Sequence, residues 1–258
     1  MRGKLCSGVA ATLTILLASA AGAAIETHSA AGSRDPFAPA APLVVLYDQT
    51  DDPQGAGVFN ITSQDFEAAN DQFDAQAADD FVVPLGTWSI ESVDVIGTYQ
   101  GTGIAASFHV YFYADAAGLP GALLESRLLQ PYTGAAGEAS ITLTPPVVLP
   151  VGTYWVSVQA RQDFTPDGQW FWDNRATAAH SAAAWQNPGD GFGTGCTTWG
   201  VRTVCLDTQV GADQLFRLNG TQTLLPTILE VPALSTWGLA ALSLLLVGAA
   251  LLLLRRQG

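Results

Sequence analysis

The sequence predicts an all-β chain: an antiparallel β-sandwich of the jelly-roll or Ig-like kind, followed by a C-terminal transmembrane helix. Three observations carry this expectation. Between residues 43 and 220, apolar and polar residues alternate in short runs, the period of strands with one buried face. Clusters of Gly, Pro, Asp and Asn separate the runs, with no long helical stretch between them, which favours antiparallel layers over βαβ units. Residues 238–254 hold no charge, only Gly, Leu, Ala, Val and one Ser.

In chain order, the first element is a targeting segment. Arg2 and Lys4 precede an apolar stretch over residues 9–21, and Ala21-Gly22-Ala23 has the small-residue pattern that signal peptidase cuts. The stretch is shorter than the ~20 apolar residues of a retained anchor. Residues 1–23 therefore read as a signal peptide that delivers the chain to the Sec translocon and takes Cys6 with it. Residues 24–42 mix Ala, Pro, Ser and scattered charge without a period, as a flexible spacer does.

The β-domain follows over residues 43–220. Leu43-Val44-Val45-Leu46-Tyr47 opens it. Phe108-Val110-Phe112 alternates with His109-Tyr111-Tyr113, and Tyr154-Val156-Val158 with Trp155-Ser157-Gln159. Ile141-Leu143 alternates with Ser140, Thr142 and Thr144, and Phe216-Leu218 closes the series. Gly118-Leu119-Pro120-Gly121 has the residue order of a type II turn. Pro84-Leu85-Gly86-Thr87-Trp88 and Pro150-Val151-Gly152-Thr153-Tyr154 repeat one Pro/Gly solution. After Trp88-Ile90 the apolar phase slips to Val93-Val95, which predicts a β-bulge near Glu91-Ser92. Short helical turns are expected in 66–76 and 176–184, and residues 221–230 read as a linker.

The formal net charge is −13 and Lys4 is the one lysine. Arg2, Lys4, Arg255 and Arg256 all lie in the terminal segments, so the middle of the chain is more acidic still. Such a surface repels phosphates and excludes a nucleic-acid partner. With Cys6 removed, Cys196 and Cys205 remain as an even pair in an exported chain. A disulfide is the expected outcome, worth ~2–3 kcal/mol through loop closure. A metal pair is the competing reading, but no His or further Cys stands at ligand spacing.

No nucleophile motif or zinc motif is present, and His28, His109 and His180 lie far apart. No catalytic residue is therefore assigned, and an acidic-site hydrolase built from a carboxylate pair is the most distant reading. Asp48, Asp51 and Asp52 in one loop, with Asp79 and Asp80 before a strand, are hard oxygen donors of the kind Ca²⁺ takes. The alternative is that these aspartates cap turns. Tyr111, Tyr113 and Trp155 share outward parity, and Trp170 and Trp172 flank amides and a carboxylate. Exposed rings of that kind stack on sugars, and the reading is a carbohydrate-binding face for extracellular polysaccharide. The competing reading buries those rings.

At the far end, residues 237–254 as a helix span about 27 Å, close to the ~30 Å of a hydrocarbon core. Arg255 and Arg256 follow, which places that end in the cytoplasm and the domain outside the inner membrane. Just before the span, Val231-Pro232-Ala233-Leu234-Ser235-Thr236-Trp237-Gly238 resembles the I-P-T-L-S-E-W-G signature of IPTL-CTERM sorting tails, with Val, Ala and Thr in place of Ile, Thr and Glu. Pro232, Leu234, Ser235, Trp237 and Gly238 are retained. The resemblance, over residues 231–258, implies an exported protein of a Gram-negative bacterium that makes extracellular polymer, cut near Pro232 by an exosortase-like enzyme. Residues 79–121, with Asp79-Asp80-Phe81-Val82-Val83-Pro84, Trp88-Ser89-Ile90 and Phe112-Tyr113-Ala114-Asp115, also resemble an uncharacterised bacterial surface β-sandwich, which implies no activity. The expectation is thus a non-enzymatic surface or matrix protein. Intact-mass analysis of the mature chain should find an N-terminus just after Ala23 and a C-terminus near Pro232; unprocessed ends would overturn both readings.

Overall fold

The computed structural model describes residues 43–54, 60–206, 212–224, 243–246 and 255. The signal peptide, the spacer and the sorting motif Val231–Gly238 lie outside the described residues. Of the expected membrane span, residues 243–246 are described and are helical. No helix among the described residues is long and apolar enough to cross a membrane.

The described chain is mostly antiparallel β-sheet. Its strands are β1 (Val44–Asp48), β2 (Ile61–Thr62), β3 (Gln64–Asp65), β4 (Gln76–Val95), β5 (Gly97–Gln100), β6 (Ser107–Asp115), β7 (Pro120–Gln130) and β8 (Tyr132–Thr133). They continue as β9 (Ala139–Arg161), β10 (Gln169–Trp172), β11 (Asn174–Arg175), β12 (Ala184–Gln186), β13 (Gly200–Val201), β14 (Asp213–Gln214) and β15 (Phe216–Thr223). The main sheet runs β1-β15-β4-β9-β6-β7, with β12 on β4 and a short parallel contact of β3 on β9. A smaller sheet runs β2-β10-β5.

Sequence pattern explains where these strands go. In β6 and the second half of β9, Phe108, Val110, Phe112, Val156 and Val158 form one buried face. The small sheet covers it: Trp170 meets Phe108 edge-on at 5.1 Å and Trp172 meets Phe216 at 6.3 Å between ring centroids. Each indole N–H has an acceptor, Gly137 O for Trp170 and Leu215 O for Trp172, as a buried Trp requires. Gly97 leaves room for this, because a Cβ there would sit 2.5 Å from the Trp170 ring.

The bulge expected near Glu91-Ser92 is present. Against β15, Ile90 pairs with Gly220 and Ser92 with Asn219, leaving Glu91 unpaired. The two repeated Pro/Gly segments are not chain reversals, however. They lie opposite each other in the β4–β9 ladder, where Val83 pairs with Gly152 and Thr87 with Pro150, so both serve one shared bend. The β6–β7 hairpin turns two residues earlier than the type II expectation. Ala117 and Gly118 both have positive φ, 57° and 83°, the geometry of a type I′ turn that suits strand twist, and Pro120 already belongs to β7. A 3₁₀ turn occupies Ala68–Phe73 within the first expected helical segment; residues 176–183 form no helix. Residues 221–223, expected as linker, continue β15 along β4.

Trp172 fills the core and anchors the small sheet on the large one. Trp172→Ala should cost about 3–5 kcal/mol, read as a lower urea midpoint at unchanged slope; a loss under ~1 kcal/mol would show the site to be loosely packed.

Candidate functional site

The predicted parity holds: His109, Tyr111, Tyr113, Trp155 and Gln159 share the face of the main sheet opposite Phe108 and Val156. What covers that face corrects the tryptophan platform. The segment after β11 joins the main sheet as β12, alongside β4, and β13, alongside β12, and Cys196 bonds to Cys205 with Cα atoms 5.7 Å apart. Trp155, Tyr113, Ala78 and Ala184 form a second buried cluster, with Trp199 and Leu119 at its rim. Trp155 donates to Asp115 Oδ1 at 2.9 Å and is fully buried, as are Trp170 and Trp172 on the other side. None of the three can stack on a sugar at the surface. Tyr113 is buried too; Tyr111 remains half-buried.

What stays open on this face is a cleft of about 510 Å³ lined by Asp65, Asp74, Gln76, His109, Tyr111, Leu128, Leu129, Gln159, Arg161 and Pro188. Its centre is His109, whose two ring nitrogens are both engaged. Nδ1 accepts the Leu129 N–H at 3.0 Å, so Nε2 carries the proton and donates to Asp65 Oδ2 at 3.0 Å. Arg161 Nε lies 3.6 Å from the same carboxylate oxygen. The Leu129 N–H reaches the imidazole because β7 bulges there. Phe108 pairs with Gln130 but Val110 with Arg127, and Leu129 sits at φ 52°, a strained setting for a residue with a side chain. Bulges of this kind re-aim groups beside binding sites.

Around His109, Tyr111 donates to Gln159 Oε1 at 3.3 Å, and Gln159 Nε2 donates to Ala75 O at 3.1 Å. Burial, then the charges of Asp65 and Asp74, push the Tyr111 phenol up to about 12. Burial likewise lifts Asp74 to about 6, with Asp65 and Asp71 adding to it and the Phe66 N–H and Arg161 opposing. Sequence reasoning located His109, Tyr111 and Gln159 on one face. Asp65, Asp74 and Arg161 were not foreseen, because they arrive from β3, from a loop and from the end of β9. A second concavity of about 260 Å³ between Phe66, Phe73, Phe164 and Phe192, with Asn70 and Gln169 at its rim, was also not foreseen.

The aspartate sets do not converge. Asp48 caps Thr50 and pairs with Arg217 at 2.8 Å; Asp51 pairs with Arg175 at 3.1 Å; Asp52 accepts from the Thr177 hydroxyl. Asp79 and Asp80 are buried neighbours in β4, so their side chains leave by opposite faces. Among the described residues, no three His, Cys, Asp or Glu side chains gather to hold a metal ion. Asp48 thus plays the turn-capping role, whereas Asp51 and Asp52 reach across to Arg175 and Thr177.

Asp79 instead belongs to a buried polar knot. Its carboxylate accepts from Gln49 Nε2, the Gln214 N–H and the Asp80 N–H. Arg202 and Asp213 lie close by; burial pulls the Arg202 guanidinium down to about 10 while both carboxylates oppose it. Burial, then the charge of Asp213, raises Asp79 well above the usual range; burial, then the charge of Asp80, raises Asp213 to about 6. Three donors stabilise the Asp79 anion, whereas Asp213 Oδ1 accepts nothing, so the proton the pair retains belongs on Asp213.

Asp74 and Asp213 each hold a proton more tightly folded than unfolded. Protonation therefore favours the fold, and stability should fall as pH rises from about 4 through 6. Asp48 and Glu67, held below their usual values by hydrogen bonds, act only below that window. Thermal melting should give a higher midpoint at pH 5 than at pH 7.5, with Asp213→Asn removing on the order of 2 kcal/mol of that dependence. A flat profile in the parent chain would contradict the buried-acid account.

No protein-family model matches the sequence, and a search of curated proteins found no match. One solved structure with partial likeness holds the cysteine protease and lectin-like domains of Cwp84, a surface layer associated protein of Clostridium difficile. It shares 12% identity over 58% of this chain and 32% of that one, with a TM-score of 0.40, so this chain spans about a third of its length.

Proposed function

We propose that this chain is an exported, non-enzymatic surface or matrix protein, delivered by its signal peptide and sorted through its C-terminal tail. Its β-domain, read as a sandwich of the jelly-roll or Ig-like kind, binds extracellular polysaccharide in the His109 cleft. The support for export is physical: an internal disulfide forms and persists in oxidising compartments, and the acidic, lysine-free middle suits a soluble body outside the membrane.

One observation carries the binding reading. The cleft brings a tyrosine ring, two glutamines, an arginine, a histidine and two carboxylates to one concavity on an otherwise covered face. Hydroxyl-rich ligands are held by such a set: alternating donors and acceptors meet the hydroxyls, and the face of the tyrosine ring meets the apolar face. His109 favours binding over proton transfer, since one nitrogen is held by a backbone N–H and the other by Asp65, leaving no free base.

Titration of the full chain in detergent against the polysaccharide of its own producing cells tests this. Binding is expected, and Tyr111→Ala should weaken it about tenfold, the size of one ring contact. Trp155→Ala should instead lower stability. Absence of binding, or unchanged binding by Tyr111→Ala, would remove the cleft from the account.

A further inference from the structure

The outer edge of the main sheet is β7, paired on one side with β6. Among the described residues no strand pairs with its other side. An edge of 11 residues offers a row of unpaired backbone groups, and proteins ordinarily guard such rows with charges, prolines or brevity. Here the edge is apolar: Leu123 and Leu128 are each 53% exposed, Leu124 43% and Leu129 63%.

The order of these residues is what points to a partner. From 123 to 129 the strand reads Leu-Leu-Glu-Ser-Arg-Leu-Leu, symmetric in apolar character about Ser126 and opposite in charge on its two sides. Two such strands laid antiparallel about a two-fold axis at Ser126 match at every position. Leu123 meets Leu129 of the partner subunit, Leu124 meets Leu128 of the partner subunit, and Glu125 meets Arg127 of the partner subunit. An isologous contact demands this self-complementarity, and directly opposed residues interact most strongly in an antiparallel ladder. Any register slip by one residue would set a charge against a leucine.

The local structure keeps the centre of this stretch regular. Arg127, Ser126 and Glu125 pair in sequence with Val110, Tyr111 and Phe112, while bulges fall at Leu124 and across Leu128–Leu129. Those bulges turn both members of each leucine doublet toward solvent, at equal distance from Ser126. Arg127 is already aligned with Glu125, its Nη1 donating at 2.9 Å, with Pro145 O and Pro146 O holding the rest of the guanidinium.

We propose that β7 is a homodimer edge, and that a second copy of this chain adds its own β7 antiparallel across a two-fold at Ser126. A seven-residue edge is smaller than the roughly 800 Å² per partner of a standard interface, so the pair is weak in dilute solution and is best trapped covalently. Opposed residues in an antiparallel ladder have Cα atoms about 4.5–5.5 Å apart, inside the span a disulfide bridges.

The full chain carrying Ser126→Cys, in detergent under mild oxidation, should run mostly as a crosslinked dimer. Ser140→Cys, equally exposed on β9 of the same sheet, should stay monomeric. Adding Leu124→Asp and Leu128→Asp to Ser126→Cys should abolish the dimer while the melting temperature holds, since both leucines already face water. Crosslinking of Ser126→Cys no greater than that of Ser140→Cys would overturn the proposal. So would a dimer that survives the two aspartates.

Discussion

The β4–β9 ladder is the constraint on which the rest of the molecule depends. The two strands run antiparallel from Ala78↔Ser157 to Val95↔Ala139, several times the five or six residues of an ordinary strand. Strands this long cannot stay regular, because twist accumulates along them. The ladder relieves it at set places: the paired Pro/Gly segments at 84–87 and 150–152, the unpaired Glu91, and the extra residues of β9 between Thr142 and Val147. Each irregularity re-phases the side chains, so every buried set downstream inherits its face from where the ladder bends.

Burial along these strands changes character at the middle bend. In the first half of β9, Ile141, Leu143, Val147 and Leu149 are buried while Ser140, Thr142 and Val148 face solvent; from Trp155 to Ala160 every residue is buried. The second pattern needs cover on both sides. The small sheet supplies one layer, and Leu119 and Trp199 pack on the other side. Trp170, Trp172, Trp185 and Trp155 seal these layers, and all four indole N–H groups find an oxygen: Gly137, Leu215, Thr62 and Asp115 respectively. A tryptophan that satisfies its N–H inside the fold is spent there.

That division explains which features could be read from the sequence. Period-two alternation, the Glu91 slip and the cysteine pair are local or compositional signals, and the fold honours each of them. Parity correctly grouped His109, Tyr111 and Trp155 on one face, but parity says which way a side chain leaves a strand and nothing about what arrives above it. The cover over Trp155 comes from Ala184 and Trp199, far along the chain. The same gap hides the cleft, whose Asp65, Asp74 and Arg161 have no common motif. Aspartate clustering misleads for a related reason: Asp79 and Asp80 are adjacent in sequence and therefore opposed in a strand.

The β7 bulge links the open cleft to the open edge. One extra residue opposite His109 lets the Leu129 N–H turn inward to the imidazole, which frees that position from the ladder with β6. With Nδ1 so occupied, Nε2–H is fixed on Asp65, and Asp65 is in turn placed against Arg161. The same extra residue leaves Leu128 and Leu129 both exposed at the sheet boundary. Moving the bulge by one residue would return a leucine to the ladder, release the histidine and break the symmetry of the edge about Ser126 together. The polar order of the cleft and the apolar order of the edge are thus two results of one backbone irregularity, held by a hydrogen bond between a strained leucine and a buried histidine.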